Sequence, residues 1–207
     1  MGPKEHWERV YSTKATDTVS WYQAHADLSL RFIGQTGAGL SASIIDVGGG
    51  ASTLVDDLLA RGYSRLTVLD LSSAALDATR RRLGARAQQV QWIEASITEC
   101  ELPPHAYDVW HDRAVFHFLT SAEDRQSYVR AALRAIKPGG HLIVATFADD
   151  GPTRCSGLPV RRYSVADLQA EFGERFTPVG HAHEAHRTPS GSEQQFVYCC
   201  FRKDTRT

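Results

Sequence analysis

Residues 44–52 read Ile-Ile-Asp-Val-Gly-Gly-Gly-Ala-Ser, which places an acid at Asp46, glycines at Gly48, Gly49 and Gly50, and a hydroxyl at Ser52. Glycine lets a backbone turn sharply and approach a ligand with no Cβ in the way, as a nucleotide-binding turn requires. A second acid, Asp70, ends the apolar run Leu66-Thr-Val-Leu. It lies about twenty residues past the glycines, the offset at which a carboxylate accepts hydrogen bonds from ribose hydroxyls. Taken singly, the glycines fit any tight strand-to-helix turn. Asp70 alone fits a helix cap, a task that Ser72 or Ser73 can also perform. Two acids at the ends of two successive strands, each at its expected offset, point together to a bound nucleoside.

The loop also discriminates between nucleosides. A dinucleotide turn wants G-x-G-x-x-G with a pyrophosphate on the helix N-terminus. Gly48 and Gly50 supply two of those glycines, but Thr53 stands at the third position. Asp46, two residues before the first glycine, would repel a pyrophosphate. It suits the sulfonium and ammonium groups of S-adenosyl-L-methionine.

The elements that must position these residues alternate. Helical spacing is predicted over residues 3–12, 23–35, 53–61, 73–83, 122–136 and 164–172, and strands over 43–47, 65–70, 89–94, 107–111 and 140–147. Such alternation gives an α/β fold with a mostly parallel sheet and helices on both faces. Lys137-Pro-Gly-Gly stops the fifth of these helices. The tail departs from the pattern, with strands over about 175–186 and 193–202 joined by the polar turn Thr188-Pro-Ser-Gly-Ser192, a hairpin signal.

In these residues the chain resembles the class I S-adenosylmethionine-dependent methyltransferases. The matching pieces are Asp46-Val-Gly-Gly-Gly50, the strand ending at Asp70, Val90-Gln-Trp-Ile-Glu-Ala-Ser96, Tyr107-Asp-Val-Trp-His-Asp112 and Lys137-Pro-Gly-Gly-His-Leu-Ile-Val144. The resemblance implies a three-layer, Rossmann-like, seven-stranded and mostly parallel sheet with a C-terminal antiparallel hairpin. It implies one domain over 1–207, with a helical lid over 1–40 and the core over 41–207. It also implies that Gly48–Gly50 and Ser52 cradle the methionine part of the cofactor above Asp46. Asp70 and Leu71 would meet the ribose, and Ala95, Ser96 and Ile97 the adenine. Asp112 and Arg113 would line the methyl-transfer site. Many relatives carry aspartate at the position of Ser96, which leaves Ser96 and Glu94 as rival acceptors for the adenine amino group. Trp21 and Tyr22 either close over the sulfonium with their ring faces or pack on the core.

The acceptor side rests on residues just past the fourth predicted strand, His111, Asp112, Arg113 and His117, and on the long segment 147–159. A methyl displacement needs mainly alignment, and a general base only if the acceptor is protonated. His117 is therefore either such a base or a helix-start histidine bonded to backbone. Cys155 either binds a soft substrate or is an incidental buried thiol. His181, His183 and His186 lack the acid or cysteine that would complete a metal set, so no metal is expected.

Composition narrows the partners. Formal net charge is −1 and hydrophobic residues make up 42%. No polycationic surface advertises nucleic acid, no apolar run reaches a membrane-spanning length, and the first residues lack a secretory pattern. Cys100, Cys155, Cys199 and Cys200 form no C-x-x-C pair, consistent with reduced thiols in the cytoplasm. The (Asn/Asp)-Pro-Pro-aromatic motif of exocyclic-amine nucleic-acid methylases and the Pro-Cys of cytosine C5 enzymes are both missing from the sequence. The expected activity is methyl transfer to a small-molecule N, O or S nucleophile by a monomer or homodimer, yielding S-adenosyl-L-homocysteine. The alternatives are a protein lysine methyltransferase, a cofactor-binding module without catalysis, and a nicotinamide oxidoreductase. Thr53 and the terminal hairpin disfavour the last.

Overall fold

A computed structural model describes residues 2–205 of the chain. Its seven-stranded sheet comprises β1 (Ser43–Val47), β2 (Arg65–Asp70), β3 (Val90–Glu94), β4 (Tyr107–Arg113), β5 (Ile136–Phe147), β8 (Phe176–Arg187) and β9 (Glu193–Lys203). A separate short hairpin, β6 (Arg154–Cys155) and β7 (Leu158–Pro159), lies in the long segment after β5. The order across the sheet is β3-β2-β1-β4-β5-β9-β8. The first five strands pair in parallel, and β9 runs antiparallel to both β5 and β8. Strand order therefore reverses between β1 and β4, and the crevice at their carboxyl ends is where α/β sheets bind ligands.

Strand alternation fixes what each face holds. Ile44, Val109 and Ile143 point to one side, under Phe32 and Ile33 of α2 (Asp27–Gln35), Leu54 and Leu58 of α3 (Leu54–Ala60), and Leu76 of α4 (Ser73–Leu83). Ile45, Trp110 and Val144 point to the other, under Tyr128 and Ala132 of α5 (Ala122–Ala135) and Leu168 and Phe172 of α6 (Val165–Phe172). β1 is buried along its whole length, as a central strand covered on both faces must be.

The first helix, α1 (Pro3–Thr13), packs on α4. Glu8 fixes it there, accepting from the backbone N–H of Ser73 (2.6 Å), the Ser73 hydroxyl (3.0 Å) and the N–H of Ala74 (3.3 Å). These N–H groups open α4, where unpaired donors and the helix dipole favour a carboxylate. Lys4 adds a 2.6 Å contact to Glu94.

Three expected elements change. The helix predicted over 23–35 begins only at Asp27. The preceding carbonyls are taken by distant side chains instead, Trp21 O by Arg113 (3.1 Å) and Gln23 O by Thr53 (2.9 Å). The strand predicted over 107–111 continues to Arg113, and that predicted over 140–147 begins at Ile136. Pro138 and Gly139 (φ +76°) are tolerated in β5 because the register with β4 shifts between Tyr107 and Val109. No helix among the described residues is long and apolar enough to cross a membrane.

Candidate functional site

The loop after β1 requires its glycines. Gly48 sits at φ +73°, and a Cβ there would run into the Val115 side chain. At Gly49 a Cβ would overlap the Asp46 carboxylate, and at Gly50 it would come within 2.5 Å of the Asp70 carboxylate and 2.6 Å of Ala75. The loop is tied down by Gly48 N–H donating to Leu69 O (2.7 Å) and the Thr79 hydroxyl donating to Gly50 O (2.5 Å).

Three carboxylates stand at the ends of adjacent strands. Asp70 accepts from Gly50 N–H (2.9 Å) and Ser72 N–H (2.8 Å), one donor on each oxygen. Burial pushes its carboxyl up to about 6, against the pull of those donors. Asp46 Oδ1 lies 2.7 Å from His111 Nδ1, and His111 Nε2 lies 2.8 Å from the Ser29 hydroxyl. Against a carboxylate, Nδ1 carries the proton and Nε2 accepts from Ser29. Asp46 Oδ2 is buried without a partner. Asp112 is consumed differently. It accepts from the N–H groups of Val115 (2.9 Å) and Phe116 (3.1 Å) and from the Tyr128 hydroxyl (2.7 Å), and burial raises it to about 7.

Two cavities open at this end of the sheet. The larger, about 320 Å³, is lined on one side by Gly48, Asp70, Leu71, Ala95, Ser96 and Ile97. Its other side is aromatic: Trp7 and Tyr11 of α1, Trp21, and Phe118, with Cys155 of the β6–β7 hairpin beside them. The smaller, about 50 Å³, is lined by Asp46, Gly49, Ser52, Tyr22, Ser29 and His111, among others. Tyr11, Trp21, Gly48 and Arg113 border both cavities. Arg113 is held by Tyr198 (2.8 Å), Trp21 O and Glu184 (3.2 Å), so its charge is compensated.

Most of the expected site residues thus converge, but Asp112, His117 and Gly50 line neither cavity. Asp112 is fully buried on the α5 face and points away from His111 and Arg113, its neighbours in the strand. His117 is fully buried as well. Its Nδ1 accepts from Phe147 N–H (3.3 Å), and burial pushes its imidazole down to about 3, so it is a neutral, walled-off ring. Gly50 supports the site through Asp70 without lining either cavity. Of the rivals near the adenine position, Ser96 lines the cavity and bonds Thr98 (2.8 Å), whereas Glu94 is exposed and engaged by Lys4. Ser29 and Phe118 are not among the expected site residues, and they reach the cavities through α2 packing and the turn after β4.

A methyltransferase-domain family model matches residues 44–140. The chain is 33% identical over 154 residues to the ubiquinone biosynthesis O-methyltransferase of Alkalilimnicola ehrlichii, covering 74% of this chain and 58% of that one. It is 29% identical over 125 residues to nodulation protein S of Rhizobium tropici, covering 60% and 50% respectively. The chain spans about three-fifths of the length of the first curated relatives it matches. Among solved structures, one from work on the conversion of a disulfide bond into a thioacetal group during echinomycin biosynthesis superposes with a TM-score of 0.81, at 17% identity over 100% of this chain and 93% of that one. The seven-stranded sheet with its terminal antiparallel pair is thus the Rossmann-like methyltransferase fold. The matched methyltransferase domain starts on β1 and ends within β5, and with these relatives it supports a class I S-adenosylmethionine-dependent methyltransferase.

Proposed function

We propose that this chain transfers a methyl group from S-adenosyl-L-methionine to a small molecule. The observation that carries the reading is the pair of adjoining cavities, polar at the strand ends and aromatic beneath α1. The residues present fit the cofactor. Asp46 Oδ2 is an orphaned buried acceptor at the smaller cavity, matched to an ammonium group. Each Asp70 oxygen holds a single N–H and keeps a lone pair for a ribose hydroxyl. The glycines let the turn pack directly against Asp46 and Asp70, which holds both carboxylates at the strand ends.

When bound, the cofactor supplies an electrophilic methyl on a positively charged sulfur. The protein's own part is alignment and exclusion of water. Trp7 and Tyr11 of α1 line the cavity together with Trp21, which supports reading the N-terminal segment as a lid. The enclosure is aromatic rather than an open acidic groove, which favours a small apolar acceptor over a peptide lysine. The relatives divide on the acceptor: the ubiquinone biosynthesis O-methyltransferase favours a small molecule, whereas an eEF1A lysine and N-terminal methyltransferase of Mus musculus also matches, at 20% identity over 190 residues.

Isothermal titration with S-adenosylmethionine and S-adenosylhomocysteine tests the reading. Binding of both is expected. Binding of NADH with neither of them sinks it.

A further inference from the structure

The larger cavity is rich in ring faces and poor in bases. Trp7 meets Phe118 and Trp21 edge-to-face, with centroids 5.1 and 5.6 Å apart, and Tyr11 approaches Trp21 at 6.1 Å. The titratable side chains that face the cavity are Tyr11, Asp70, Glu99, Arg113, Asp124 and Cys155. Arg113 has no lone pair to offer. The reading above assigns Asp70 to the ribose, and its oxygens already accept from Gly50 and Ser72. Glu99 and Asp124 are exposed at the rim, and Asp124 accepts from the Ser121 hydroxyl (2.7 Å). Tyr11 and Cys155 are proton donors in this setting, since burial raises the phenol and pushes the thiol up to about 12. The two histidines of the segment are both spent, His111 between Asp46 and Ser29 and His117 behind the cavity wall.

Building on the methyltransferase reading above, we infer that the acceptor is a neutral lone pair bearing no proton, a thioether sulfur or a tertiary or ring nitrogen, and that the aromatic wall receives the onium cation it becomes. The step balances without proton transfer. The acceptor lone pair forms the bond to the methyl carbon as the carbon–sulfur bond breaks, and that electron pair stays on the departing sulfur. The positive charge moves from cofactor to acceptor within the cavity. With its carboxylates either assigned to the ribose or exposed at the rim, the cavity is poorly equipped to activate a phenol or a protonated amine, whereas ring faces stabilise an onium group. Arg113 does not oppose this charge, because Glu184 compensates it.

The test uses the full chain loaded with S-adenosylhomocysteine, so that failure to load is a failure of the methyltransferase reading and not of this one. Trimethylphenylammonium and its uncharged isostere tert-butylbenzene are then titrated into the loaded protein. The ammonium is expected to bind about tenfold more tightly. Trp7→Leu should abolish that preference, and Trp7→Phe, which keeps a ring face and the helix, should retain most of it. Equal or tighter binding of the isostere overturns the inference. So does an ammonium preference that survives in Trp7→Leu. A parallel turnover assay at pH 7 with thioanisole, quinoline and phenol separates sulfur from nitrogen acceptors, and methylation of phenol faster than of both others also overturns it.

Discussion

Asp70 and Asp112 end two parallel strands of one sheet, and both are buried with their carboxyls raised by desolvation, to about 6 and about 7. They nevertheless do different work. Asp70 receives one backbone N–H on each oxygen and faces the larger cavity. Asp112 receives two backbone N–H groups and a phenol and borders neither cavity. Asp112 clamps the turn that follows β4, whereas Asp70 stands in the wall of the larger cavity.

The largest effect that would sharpen this contrast is on stability. Asp112→Ala strands Val115 N–H, Phe116 N–H and the Tyr128 hydroxyl, and should cost about 3 kcal/mol in chemical denaturation. The protein that remains folded should bind S-adenosylhomocysteine with near-unchanged affinity. A large loss of affinity without loss of stability would move Asp112 back into the site.

Asp70→Asn should do the reverse. Affinity for S-adenosylhomocysteine should fall by roughly 1–3 kcal/mol with a smaller change in stability, read by calorimetry and denaturation on the same variant. An unchanged affinity removes Asp70 from the site.

The two acids should also separate in pH dependence. Affinity should weaken as pH falls through about 6, because a protonated Asp70 loses acceptor capacity, and Asp70→Asn should flatten that profile. Stability should move the other way. Both groups bind a proton more tightly folded than unfolded, so their contribution is full below about pH 4 and is lost as pH rises through about 6 and 7. Asp112→Asn should make the decline between pH 4 and 7 shallower in urea titrations, and an unaltered slope would refute its share.

The smallest effect concerns α1. Glu8→Gln keeps the shape of the side chain but removes the charge facing the first turn of α4. A loss of about 0.5 kcal/mol is expected, seen as two- to threefold faster release of S-adenosylhomocysteine in stopped flow. No change in release would separate the docking of α1 from cofactor retention.

Much of this was legible before the fold. Period-two and helical spacing placed nearly every strand and helix within a few residues, because each element's burial pattern is local in sequence. The misplacements lie where tertiary contacts override local preference. Residues 23–26 lose the predicted helix, with Thr53 on the carbonyl of Gln23 and Arg113 on that of Trp21 just before it. His117 looked like a base at the mouth of the sheet, but its neutrality follows from burial beside Phe147, which spacing does not encode. Asp112 lies on the face opposite His111 and Arg113 because β4 runs on to Arg113, past the predicted strand end, so strand alternation sets its direction.

The sequence alone determined the polar, strand-end wall of the cavities. Asp46, the glycines and Asp70 are joined by one strand–turn–helix–strand unit, so their geometry follows from short-range backbone rules. Tertiary structure decided the acceptor side. Trp7, Tyr11, Phe118, Arg113 and Cys155 come from four separate segments, and only the docking of α1 on α4 and the packing of the β6–β7 hairpin bring their side chains to one cavity. Contacts of that kind are set by which surfaces bury one another, and no local pattern records them.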